Sequence, residues 1–177
     1  MGLGQTLLTI MALMLMGRLV LNINGTTLEA GYAKDMAEYR ITATSLGTSL
    51  LESANSLAFD EATVDTFLLD SEINSLTDTD SLGSDVGETD YPLFDDVDDY
   101  NGFAKFDTIP NSAIFKTEGR VSYLQVSGNN LYTTTDKKFN KLIIVYVTSE
   151  FLVNYSVDPP KPDTLVFKSI YSYWYFR

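Results

Sequence analysis

Seventeen consecutive residues, Leu7 to Ile23, include only Arg18 and Asn22 as strongly polar members. At about 1.5 Å of rise per residue such a run makes a helix roughly 26 Å long, which reaches across the hydrocarbon core of a bilayer. Three fates are open to it. A cleaved secretory signal carries a basic region ahead of its apolar stretch, and Met1 to Thr6 holds no Lys or Arg. A permanent membrane anchor tolerates Arg18 if the side chain snorkels towards the interface. The third fate is a helix that stays in lipid only until identical helices replace the lipid around it.

The residues ahead of and within this run, Gly4-Gln5-Thr6-Leu7-Leu8-Thr9-Ile10-Met11, resemble the start of type IV pilins and type II secretion pseudopilins. In that family a glycine precedes a threonine, two aliphatic residues, a glutamate and a long apolar helix. The resemblance matches Gly4 to the glycine before the prepilin peptidase cut and Gln5 to the first mature residue. The chain departs from the pattern in lacking a basic leader and in placing Thr9 where the family has its glutamate. In that family the carboxylate neutralises a neighbour's terminal ammonium in a dry core, a charge that Thr9 does not supply. The resemblance implies a subunit interface formed by Leu7, Leu8, Ile10, Met11, Leu13, Met14, Leu15, Arg18, Leu19, Val20 and Leu21.

Beyond Ile23, Asn24-Gly25-Thr26-Thr27 are poor helix formers, so a short unwound stretch is expected there. The helical pattern then resumes. Leu28, Tyr32, Met36, Tyr39, Ala43, Leu46, Leu50, Ala54 and Leu57 recur at steps of three and four, which places them on one helix face. The expected organisation is therefore a helix over 1–60, hydrophobic over 1–27 and amphipathic over 28–60. A β-rich head follows over 61–177, with an acidic loop at 60–102. The head is long enough for one core.

Composition narrows the chemistry. The chain has neither cysteine nor histidine, which removes disulfides, Cys-ligated metals and Ser-His or Cys-His nucleophile pairs. No motif arranges the remaining carboxylates, lysines and tyrosines for catalysis, and an enzyme is not expected. Charge is uneven: residues 41–104 hold fifteen acidic and no basic groups, and residues 105–177 hold nine basic and six acidic. Head-to-tail stacking could set one against the other, while the plainer role of the acidic stretch is to keep the chain soluble. A net charge of -12 argues against nucleic acid as a partner.

Two acidic strings stand out. Asp78-Thr79-Asp80-Ser81-Leu82-Gly83-Ser84-Asp85 approaches a calcium loop but fails at Leu82 and lacks the closing glutamate. Asp95-Asp96-Val97-Asp98-Asp99-Tyr100-Asn101-Gly102-Phe103 is similar to the Asp-Asp-x-Asp-Asp-Tyr-x-Gly segment of minor pilins of the mannose-sensitive haemagglutinin type. Four carboxylates in five residues repel one another. Either a calcium ion sits among Asp95, Asp96, Asp98, Asp99 and the amide of Asn101, or the residues form a hydrated turn with Asn101-Gly102 at its tip. No other cofactor is expected.

The C-terminal third reads as antiparallel sheet. Arg120 to Ser127 and Leu131 to Thr135 flank the hairpin signal Gly128-Asn129-Asn130. Lys141 to Thr148 is apolar on both faces and suits a central strand under the helix. Phe151 to Val157 forms another, stopped by the prolines between Asp158 and Pro162, and Thr164 to Phe176 closes the sheet. A lysine-led apolar strand and a last strand ending near a Trp also resemble that pilin group. The aromatic tail sends Tyr171, Tyr173 and Tyr175 to one face and Trp174 and Phe176 to the other. Asn24-Gly25-Thr26 and Asn154-Tyr155-Ser156 are glycosylation sequons.

The fold class expected is α+β, one long N-terminal helix packed on an antiparallel sheet of four or five strands. The function expected is a structural subunit of an extracellular, type IV pilus-like filament, lodged in the cytoplasmic membrane before assembly and partnered by copies of itself. A membrane-anchored surface binding module and a minor pseudopilin of a secretion system are the alternatives. Any surface or glycan ligand is left undefined.

Overall fold

A computed structural model describes residues 2–88, 91–109, 113–128, 130–154 and 159–174. The chain divides into two compact units, Met1–Arg40 and Ile41–Arg177. A single helix, α1, runs Leu3–Asn55 and so contributes to both.

In the first unit the helix continues through Asn24-Gly25-Thr26-Thr27, where an unwound stretch was expected. The threonines explain some of the difference. Thr26 Oγ1 and Thr27 Oγ1 both donate to the Ile23 carbonyl, at 3.0 and 2.8 Å, so their hydroxyls are satisfied within the helix rather than competing with it. Gly25 costs propensity but does not break the ladder.

In the second unit the amphipathic stripe buries only from Ala43 onwards. Ala43, Gly47, Leu50 and Ala54 are the buried helix residues, whereas Leu28 and Tyr32 of the same stripe are exposed. Gly47 joins the buried face because a side chain would not fit: a Cβ there would stand 2.4 Å from two ring carbons of Phe167. The helix ends at Asn55 rather than at residue 60, closing with Ser56 N–H to Ser53 O and Leu57 N–H to Ala54 O.

The strands are β1 Ala104–Thr108, β2 Ile114–Ser127, β3 Asn130–Thr134, β4 Asn140–Asn154 and β5 Lys161–Ser172. All pairs are antiparallel, in the order β1-β2-β4-β5, with β3 also on β2. Along β2, β1 pairs with residues 114–118 and β3 with residues 123–127. The expected strand over 151–157 is instead the end of β4, after an irregularity between Thr148 and Val153; residues 155–158 lie outside the described ones. Pro162 does not stop the sheet but sits inside β5, opposite Val153, on an edge strand that tolerates a missing donor.

Alternation selects the inner face. Phe115, Thr117, Val121 and Tyr123 of β2 and Lys141, Ile143, Val145, Val147 and Ser149 of β4 are buried. Residues 41–55 of α1 cover this face. Asn55 Nδ2 donates to Ser169 Oγ at 3.2 Å, and Tyr171 OH donates to the Leu57 carbonyl at 2.8 Å.

Candidate functional site

The acidic loop folds by docking one strand-like pair. Ala58 and Asp96 form a parallel bridge, with Ala58 N–H on Asp95 O and Val97 N–H on Ala58 O, each at 3.0 Å. Two residues further along each segment stand Asp60 and Asp98, so parallel pairing sets these carboxyls side by side. Between them comes Lys141 from β4. Its Nζ donates to Asp60 Oδ2 at 2.7 Å, to Asp98 Oδ1 at 2.5 Å and to the Phe59 carbonyl at 2.7 Å. The Phe59 and Tyr123 ring centroids lie 4.5 and 5.2 Å from the same nitrogen, within cation–π range.

Lys141 and Asp60 have 0% of their surface exposed and Asp98 3%. Burial pushes the Asp60 carboxyl upward, but the Lys141 charge and hydrogen bonds from Lys141, Thr77 and Ala62 outweigh it and hold the group below its ordinary value. Asp98 goes the other way. Burial, with Asp60 adding to it against the pull of Lys141, raises it to about 7. Asp96 is pushed up to about 8, first by burial and then by Asp98.

The five residues expected to share an ion are thus divided among separate tasks. Asp96 Oδ1 accepts from the backbone N–H groups of Asp98 and Asp99, at 2.6 and 3.3 Å. Asp98 faces Lys141. Asn101 Nδ2 donates to Leu82 O at 2.9 Å and its Oδ1 accepts from Val121 N–H at 3.1 Å, tying the loop to β2. Asp99 Oδ2 accepts from Asp95 and Asp96 N–H. Carboxylate oxygens of Asp95 and Asp99 come together instead with Glu88, all within 4.8 Å of one another. Burial first, then the Asp99 charge and a hydrogen bond with its side chain, push the Glu88 carboxyl up to about 7. A shared proton or a cation would relieve the repulsion in such a trio, and Asp95 is exposed to solvent. In the other acidic string, Asp78 pairs with Lys137 at 2.9 Å.

No family model, curated protein or solved structure matches this chain. Its function is therefore read from the geometry of its own residues.

The other candidate site is the first unit's helix. Every expected interface residue from Leu7 to Leu21 is exposed, including Leu13 at 69% and Leu15 at 67%. Leu13, Met14, Leu15 and Met16 are consecutive and all exposed, and at about 100° per residue four neighbours go right round a helix. Over residues 10–16 the surface has no polar side, while Arg18 and Asn22, four residues apart, share one face further along. By length and composition this helix can cross a membrane.

Tyr171 and Tyr173 are buried against Phe59, with centroids at 5.9 and 5.6 Å, and the Tyr173 hydroxyl accepts from Leu68 N–H at 2.9 Å. Trp174 is 42% exposed; Tyr175 and Phe176 lie outside the described residues. Of the sequons, Asn24 is on an exposed stretch of α1 and Asn154 ends β4, while Tyr155 and Ser156 fall outside the described residues.

Proposed function

We propose that this protein is a structural subunit of an extracellular helical filament resembling a type IV pilus, held in the membrane by its N-terminal helix until it assembles. The observation that carries the reading is the apolar surface going all the way round residues 10–16 of α1. A helix apolar on one side can lie in a groove or on a membrane surface; one apolar on every side needs lipid or several neighbouring helices. Copies of the same helix supply those neighbours. Each apolar Å² they cover contributes roughly 25 cal/mol, and the interface comprises Leu7, Leu8, Ile10, Met11, Leu13, Met14, Leu15, Leu19, Val20 and Leu21. Arg18 is the exception and takes a polar partner in an adjacent copy, such as Gln5, Thr9 or a carbonyl. The sheet unit forms the outer shell.

A second reading uses the same helix as a permanent anchor for a surface binding module, since by length and composition it can span a bilayer. Negative-stain imaging of the purified full chain distinguishes the two. Filaments are the expected result, and deletion of residues 1–27 should turn them into soluble monomers with the sheet intact. Single molecules whose first helix stays in the bilayer of mature cells would overturn the filament.

A further inference from the structure

Lys141 stands between two carboxyls of unlike character. Asp60 is saturated with donors: Oδ1 accepts from Ala62 N–H, Thr77 N–H and Thr77 Oγ1, and Oδ2 from Thr77 N–H, Tyr123 OH and Lys141 Nζ, all at 3.3 Å or less. That environment holds an ion. Among the described residues Asp98 Oδ1 accepts from the lysine, and its buried Oδ2 has no hydrogen-bond partner. Two carboxyls facing one ammonium leave a net negative charge in a closed site, and a proton on Asp98 removes it.

We infer that Lys141 and Asp98 condense into an intramolecular isopeptide bond, Nζ to Cγ, with Asp60 as the base beside it. A nitrogen hydrogen-bonded to Oδ1 at 2.5 Å is near the carboxyl carbon, in the range of roughly 3–3.5 Å that attack requires. Asp60 takes one proton from the Lys141 ammonium, and the freed amine attacks Cγ of the protonated Asp98 carboxyl. As the tetrahedral centre collapses, the second amine proton passes by way of Asp60 to the departing hydroxyl, which leaves as water. The products are one amide, one water and a proton retained on Asp60; no oxidant or other co-reactant is needed.

The surroundings favour the product. Phe59 and Tyr123 lie against the nitrogen, and none of the three reacting groups has appreciable exposed surface. A buried ion pair keeps a desolvation cost that a neutral amide does not. The bond would link the acidic loop to the central strand β4 across 43 residues, in a chain without cysteine, and no reductant would open it. It forms in a folded chain whether or not that chain polymerises.

Intact-mass measurement and proteolytic mapping of the folded, full-length wild-type chain test this directly. The expected result is a loss of one water and a branched peptide joining Lys141 to Asp98, located by fragmentation. Lys141 recovered in a linear peptide, or joined to Asp60, overturns the inference. Two variants sharpen it. Asp98→Asn should give the identical amide by releasing ammonia, so its mature mass equals that of the wild type, and Lys141→Arg should retain the full mass of its sequence.

Discussion

Lys141 occupies an inward position of β4, in phase with Ile143, Val145 and Val147. A lysine in that phase must find an anionic partner. Neither the need nor the partner was legible in the sequence, because Lys141 to Thr148 reads as apolar on both faces and so does not mark Lys141 as inward. Asp60 lies 81 residues away and Asp98 lies 43 away, and only the parallel bridge between Ala58 and Asp96 brings them together. The acidic run itself was legible as a string whose charges need relief; its division among a turn cap, a lysine and a carboxyl trio depends on which way each side chain faces. The titrations give a prediction. Asp96 and Glu88 are raised, to about 8 and about 7, so the folded state binds their protons more tightly than the unfolded state does. Their contribution is complete below the ordinary carboxyl range and is lost as pH rises through the raised values. Before the Lys141–Asp98 amide forms, Asp60 is lowered, so its contribution is then present at neutral pH and is lost as pH falls below 3.8, the ordinary value of an aspartate. The melting temperature of the uncondensed chain should therefore peak near roughly pH 4 and fall on both sides. Glu88→Gln should flatten the alkaline limb. Because burial and the Asp99 charge favour a proton on Glu88, a chelator at neutral pH should leave the melting temperature unchanged; a fall of several degrees would assign a cation to Glu88, Asp95 and Asp99 instead.

Among the elements, the strands with strong apolar alternation were legible and β1 was not. Its sequence, Ala104-Lys105-Phe106-Asp107-Thr108, carries two charges and is mostly exposed, so its strand state derives from hydrogen bonding to β2 rather than from burial. Pro159 and Pro160 lie outside the strands, whereas Pro162 enters β5 for a related reason, since an edge strand leaves it room. Close backbone approach was equally invisible. A Cβ on Gly119 would stand 2.5 Å from the Tyr100 carbonyl oxygen, at the point where Gly102 N–H donates to Gly119 O and Gly119 N–H to Phe103 O. This contact seats the Asp98–Tyr100 turn on β2. Gly119→Ala has to push the adjoining backbones apart, and denaturant unfolding should register a loss of about 1–3 kcal/mol.

For the whole molecule, the contrast in composition between the apolar run and the acidic stretch was legible in the sequence. The division after Arg40 was less so, since the amphipathic stripe extends on both sides of it. Arg18→Leu separates assembly from folding. The melting of the sheet unit should stay within about 0.5 kcal/mol of wild type, while sedimentation and imaging should show fewer regular filaments; unchanged filaments would remove the role given to Arg18. The uninterrupted α1 has a mechanical corollary. A fibre built from helices that already contain a melted stretch has slack to draw out under load, whereas hydrogen bonding maintained through Gly25, with Thr26 and Thr27 braced on Ile23, leaves little. Tension would meet a stiff cable first, and the earliest yielding would be at Gly25, where no side chain reinforces the turn.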